Sequence, residues 1–334
     1  RYRGTLGVAC VTYGAGALNM INPVATAYAE KSPLVVISGA PGAAERTMGL
    51  GLHHQVKHFD SQMLIMREVT CAQCVLDDPA TAAVEIARVL TAARYLSRPV
   101  YIEFPRDIVE AEVAAVPSFK PPVKNMAAAK QAARQALKML ETKKQPAMLL
   151  GVEIRRYGLE KKVAKLAKTL GIPVLTTFMG RGILAEVGAK TAGTYLGLAG
   201  DVATRRLVER ADALLMLGVI LCDTNFGVSK RQIDMRTSIH AFDGTVHFEH
   251  HSYAGVILEA FVDALLAGAE KLGDAKPVTA AYPRGLKPST RKLLPQDVAT
   301  AVNDFFANHG VMPIASDMGD CLFTAMDIEY TALL

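Results

Sequence analysis

Short, wholly apolar runs alternate with segments of helical period along most of the chain. Leu6 to Val11, Leu34 to Ser38 and Pro99 to Glu103 read as strands too uniformly apolar to face water on one side. Between them, Ala17 to Glu30 and Pro79 to Tyr95 carry the helical pattern. Parallel α/β layers are the architecture that this alternation predicts. The apolar character of Leu6 to Val11 is that of a central strand rather than a sheet edge.

Pro117, Pro121 and Pro122 interrupt the pattern, so a domain boundary is expected at 110–125. A second alternating set follows: helix Ala127 to Leu140, strand Ala147 to Val152, helix Leu159 to Leu170 and strand Pro173 to Thr176. It continues through helix Val202 to Arg210, strands Ala213 to Leu217 and Ile239 to Phe242, and helix Val256 to Leu266, a Rossmann-like series. After the proline-bearing stretch from Gly273 to Pro295 come a helix, Gln296 to Asn308, and a strand, Met312 to Ser316. One helix and one strand cannot bury a core, so this end is expected to open a third domain that is cut short. The expected domains are therefore 1–115, 125–272 and 295–334.

The 334 residues exceed one ordinary core, and 51% hydrophobic with 21% charged residues indicates a globular chain. The net charge of +5 is spread along the length without a basic block, so nucleic-acid binding is not expected. No apolar run approaches the roughly 20 residues of a membrane span, and no signal-peptide pattern opens the chain. A cytoplasmic protein without a membrane partner is expected. Five cysteines fit reduced, packed thiols; the single C-x-x-C of Cys71 and Cys74 lacks the second pair that a zinc site needs.

Three places could hold chemistry. The turn Val11-Thr12-Tyr13-Gly14-Ala15-Gly16-Ala17 joins a strand to a helix, where main-chain N–H groups suit a polar or anionic ligand, or where the glycines merely permit a tight turn. His53 and His54 follow the glycine-bearing stretch from Gly49 to Leu52; imidazoles titrate near neutral pH and could move protons, though adjacent residues should point apart, and a plain surface loop is the alternative. Asp317-Met318-Gly319-Asp320 follows a strand, the end at which open α/β sheets place ligands, or is simply a turn. His250 and His251 read as a solvated connection, and Arg155 and Arg156, like Arg205 and Arg206, as solvated faces in preference to phosphate-capable patches.

In this order and at these separations, the motifs resemble the thiamin-diphosphate-dependent 2-keto acid decarboxylases. Beyond the glycine turn, the matching stretches are Ala27 to Pro33, Ile37 to Pro41, Leu52-His53-His54-Gln55, Pro99 to Glu103, Arg155 to Gly158, Thr176 to Gly182, Asp223 to Phe226 and Asp317 to Asp320. The likeness covers nearly the whole chain and leans to the bacterial phenylpyruvate and indolepyruvate type. It implies a pyrimidine-binding domain over 1–115, a Rossmann-like central domain over 125–272, and the start of a diphosphate-binding domain at 295–334. It also implies thiamin diphosphate and Mg2+ as cofactors, a 2-keto acid as substrate, and a homo-oligomer, dimer or dimer of dimers, with active sites at the subunit interface. Thr12, Gly14 and Ala15 would contact the aminopyrimidine, His53 and His54 would be the catalytic pair, and Met318, Gly319 and Asp320 would begin the diphosphate site. The family's activating glutamate would lie upstream of Arg1 and its magnesium motif beyond Leu334, so no metal ligand is expected in this chain, and by itself it should bind cofactor poorly and be inactive. Two other readings stand beside this one: a flavin-containing carboligase of the acetolactate synthase kind, and a non-catalytic Rossmann-like binding or assembly module.

Overall fold

The computed structural model describes residues 6–119, 121–226, 233–273, 280–317 and 319–330. Two compact units divide the chain, Arg1–Val123 and Lys124–Leu334.

In the first unit, β1 (Gly7–Val11) leads through α1 (Ala15–Leu18) and α2 (Ile21–Ala29) to β2 (Leu34–Ala40) and α3 (Ala43–Thr47). There follow α4 (Ser61–Val69), β3 (Ala72–Val75), α5 (Pro79–Leu96) and β4 (Pro99–Pro105). The strands form a parallel sheet in the order β1-β2-β4-β3. Because side chains alternate across a strand, Val35, Val100 and Ile102 pack with α5 on one face, while Val36 and Tyr101 pack with Val24 and Met66 on the other. Both faces are covered, as the apolar strands require. The sharp start of α5 is legible too: Pro79 opens it, and the Asp78 carboxylate accepts from Ala80 N at 2.9 Å.

Three departures have physical causes. The single helix expected over 17–30 is two, because Pro23 offers no N–H and its ring would collide with the Asn19 carbonyl of a continuous helix; Pro23 instead sits in the first turn of α2. The short elements α4 and β3 carry too little periodicity to be read from sequence. Finally, β1 lies at an edge of the described sheet, with Val8 61% exposed, rather than in its middle.

The second unit begins with α6 (Met126–Glu141), β5 (Pro146–Leu150), α7 (Glu153–Arg156), α8 (Glu160–Leu170), β6 (Val174–Thr177) and β7 (Thr194–Tyr195). It continues with α9 (Val202–Glu209), β8 (Ala213–Leu217), β9 (Ser238–Phe242), β10 (Thr245–His247), β11 (Ser252–Ala254) and α10 (Leu258–Gly268). The sheet runs β11-β10-β9-β8-β5-β6-β7, parallel from β9 to β7, with an antiparallel hairpin added at one edge. The chain turns from β9 into β10 at Asp243 and Gly244, whose φ of 48° and 75° form the two-residue turn that Asp-Gly favours. The alanine face of α6 (Ala129, Ala132, Ala133, Ala136) lets α10 approach closely, and Phe261 and Leu265 fill the seam.

Toward the C-terminal end, α11 (Pro295–His309) and α12 (Asp320–Thr324) form as helices. The strand expected over 312–316 does not form. A strand is held by ladder bonds to a neighbour, no described segment pairs with this one, and most of its residues are exposed. Residues 325–328 are held instead by Arg181, which donates to the carbonyls of Ala325 (2.5 Å), Met326 (3.2 Å) and Ile328 and stacks on Tyr330. No described helix is long and apolar enough to cross a membrane.

Candidate functional site

The parallel register of the first unit aligns Val11, Ser38 and Glu103 at the carboxyl ends of β1, β2 and β4, the edge where open α/β sheets bind ligands. Just beyond Val11 the chain turns at Gly14, whose φ of +69° is readily available only to glycine. A Cβ on Gly14 would fall on the main-chain carbonyl of His54, and one on Gly16 would strike the Thr12 methyl. The Ala15 N–H donates to that same His54 carbonyl at 3.3 Å, and the Gly14 N–H donates to Gln62 Oε1 at 2.5 Å. Two motifs 40 residues apart are therefore locked together, which sequence order alone does not reveal.

This also corrects one expectation. The amides of Gly14 and Ala15 are engaged inside the protein, and α1 is only four residues long, so the turn is not an anion cradle at a helix N-terminus. Pro41, Val56 and Phe59 wall the adjoining cleft and Gln62 and Glu103 add polar groups, a lining that fits an aminopyrimidine.

His53 and His54 are both exposed. Rather than pointing apart, their rings lie 3.8 Å between centroids, tilted by 53°. The cause is local. His54 adopts φ +68°, a left-handed conformation uncommon outside glycine, and strain of this sort persists where its surroundings impose it. That conformation places the His54 carbonyl on the Gly14 turn while its ring is presented to solvent beside His53.

Behind the turn lies a buried polar cluster that motif reading missed. Gln62, Ser38, Tyr101 and Glu103 are all buried; the Gln62 amide donates to Ser38 Oγ at 3.0 Å and to Tyr101 Oη, and Tyr101 Oη donates to Glu103 Oε1 at 3.0 Å. Burial pushes the Glu103 carboxyl above the usual carboxylate range, against the hydrogen bond from Tyr101 and Arg46 at 3.9 Å. The signal available in sequence was a lone Glu ending an otherwise apolar run.

A raised carboxyl pKa means that the folded state holds the Glu103 proton more tightly than the unfolded chain does. Stability from this group is thus fully present below the unfolded carboxylate pKa and is lost as pH rises through the folded one. Glu103→Gln should accordingly raise the denaturation midpoint relative to wild type at about pH 8, with the gain vanishing near about pH 4. A gain that grew toward acid pH would show that the carboxylate is stabilised in the fold.

Other candidates scatter. Gly319 has φ +93° and caps α12, whose first residue Asp320 is exposed; Met318 lies outside the described residues. His250 pairs with Glu249 at 3.2 Å and His251 stacks on Phe248 and meets Gln135 at 3.0 Å, as expected of a connection. Arg155 pairs with Glu160 and Glu186, and Arg205 with Glu209. Burial raises the Cys71 thiol and takes Cys74 to about 11, which suppresses the thiolate needed for redox or metal chemistry. Among the described residues, no three His, Cys, Asp or Glu side chains gather to hold a metal. A larger concavity in the second unit is lined by Lys143, Lys144, Arg206 and Arg210, which follow or end α6 and α9, where positive charge offsets helix carbonyls. It contains none of the motif residues.

Residues 1–64 match the family model described as the thiamine pyrophosphate enzyme N-terminal TPP binding domain, and 133–264 match the central domain of the same enzymes. The chain belongs to the thiamine pyrophosphate enzyme family, on the branch of the 2-keto acid decarboxylases. It is 53% identical over its whole length to an indole-3-pyruvate decarboxylase of Azospirillum brasilense and spans 62% of that protein. It is 33% identical to a pyruvate decarboxylase of Aspergillus parasiticus, over 66% of this chain and 38% of the relative. Pyruvate decarboxylase isozyme 2 of Saccharomyces cerevisiae is 26% identical, over 83% of the chain and 51% of that protein.

Proposed function

We propose that the full-length protein, with thiamin diphosphate and Mg2+, decarboxylates an aromatic 2-keto acid, phenylpyruvate or indole-3-pyruvate, to the aldehyde without oxidation. The observation that supports this reading is the contact between the Gly14 turn and the His54 carbonyl, which makes the histidine pair a neighbour of that turn. When bound, thiamin diphosphate supplies the electron sink that takes up the pair released as carbon dioxide leaves. Thr12, Gly14 and Ala15 form the surface against which the aminopyrimidine lies. A ring nitrogen of His54, with His53 beside it, delivers the proton that replaces the carboxyl group. Met318, Gly319 and Asp320 begin the diphosphate lining, and residues 295–334 open the domain that holds it. Magnesium would be held by oxygen ligands of that domain rather than by the described residues. In this reading 1–115 is the pyrimidine-binding domain, 125–272 the central one, and the working form a cytoplasmic homo-oligomer, a dimer or a dimer of dimers with active sites at the subunit interface.

Carbon dioxide release from phenylpyruvate and indole-3-pyruvate by the full-length protein should vanish after chelation and dialysis and return with thiamin diphosphate and Mg2+ together. Turnover undiminished by stripping would overturn the assignment.

A flavin-dependent carboligase is disfavoured by the second unit. The crossovers diverge between β5 and β8, yet there Gly151 and Gly218 abut, with Gly151 N bonded to Leu217 O at 2.9 Å and Glu153 N to Gly218 O at 3.2 Å. No G-x-G-x-x-G turn follows a strand of this unit, so the usual dinucleotide cradle is missing from its sequence. The purified protein should therefore show no stoichiometric flavin band in its visible spectrum, and such a band would move the activity to the carboligases.

A further inference from the structure

We propose that Gln62 is a positioning residue: its carboxamide fixes the direction of the Gly14 turn by bridging it to the buried Ser38–Tyr101–Glu103 cluster. This rests on the reading of that turn as the cofactor surface, but its test does not need cofactor.

An amide has an acceptor and two donors, and Gln62 uses both kinds. Its Oε1 accepts from Gly14 N at 2.5 Å; its Nε2 donates to Ser38 Oγ and Tyr101 Oη and lies 3.4 Å from Glu103 Oε1. With only 6% of its surface exposed, Gln62 cannot exchange these partners for water. The two ends of the bridge differ in character. Ser38 and Glu103 belong to paired central strands, rigid through their ladder bonds. Gly14 belongs to a turn whose other described main-chain ties are local, from Leu18 N to the Gly14 carbonyl at 3.0 Å, or run to His54, itself in a strained conformation. The carboxamide thus carries the geometry of the sheet to the turn. Glycine at 14 makes such a tie necessary, since no side chain of its own restrains it.

The sharpest readout is amide hydrogen exchange in the 334-residue chain. Gln62→Met keeps the volume but removes both functions, so the Gly14 amide should exchange about tenfold faster, the factor that corresponds to one ordinary net hydrogen bond. Val36 and Ile102 in the strands should keep their protection. Gln62→Glu supplies a different signature. It retains an acceptor for Gly14 but sets a second carboxyl beside Glu103, near Tyr101, Arg46, Asp60 and His58. At acid pH one shared proton can stand in for the lost donor, and as pH rises the two carboxylates repel. Gly14 protection in Gln62→Glu, corrected for intrinsic exchange, should therefore fall more steeply with rising pH than in wild type, where Glu103 is, among the described residues, the single carboxyl in contact with residue 62.

Unchanged Gly14 exchange in Gln62→Met would overturn the proposal. Equal acceleration at Val36 and Ile102 would overturn it too, by showing that Gln62 serves packing rather than the turn. If exchange behaves as expected while the stripped full-length protein still turns over, the positioning role stands and only the cofactor reading falls.

Discussion

His54→Asn in the full-length protein should lose about 10²- to 10⁴-fold in turnover, the usual cost of removing a positioned general acid or base, or roughly 2.7 to 5.4 kcal/mol of barrier. Its stability should barely move. The His54 side chain is exposed, and asparagine is among the few residues that tolerate the left-handed conformation that this position adopts. Sequence reasoning alone favours alanine as the probe and a stability effect within about 0.5 kcal/mol. His54 already carries a Cβ at φ +68°, so alanine adds no crowding of the backbone and should also stay close to wild type in stability. Both variants should be nearly inactive while unfolding close to wild type, which separates the chemistry of the imidazole from any role in the fold. Normal turnover in the folded fraction of either variant would remove His54 from the proton path.

Gly14→Ala should destabilise the first unit by about 2 to 4 kcal/mol, from the unfavourable positive φ together with overpacking against the His54 carbonyl. Relief requires the turn and the histidine loop to move apart, so activity of the full-length protein should fall with stability. Gly51→Ala provides the comparison. Its added Cβ meets nothing within 4 Å and its φ is not positive, so it should lie within about 0.5 kcal/mol of wild type in denaturant unfolding. Equal midpoints for the two variants would show that the close approach of Gly14 and His54 is absent in solution.

Parts of the site were visible in the linear chain for particular reasons. A glycine flanked by a buried strand and a helix marks a forced turn, and two histidines after glycines mark chemistry near neutral pH; each is a property of neighbouring residues. Gln62 and Glu103 gave no such mark. One lies in a helix with weak periodicity and the other ends an apolar strand, and their importance comes from partners 24 to 48 positions away.

By itself the amino-acid order determined that β2 and β4 are strands buried on both faces, because their uniformly apolar runs leave no side to face water. It also carried the motif order that identifies the family. Tertiary structure decided the rest. It put β1 at a described edge, left 312–316 without a strand partner, turned the two imidazoles toward each other, and closed the Gly14 amide onto Gln62 instead of onto a ligand. Each of these outcomes turns on which distant backbone group occupies a given space or satisfies a given donor, and pattern along the chain holds no information about that until the sheet has set the register.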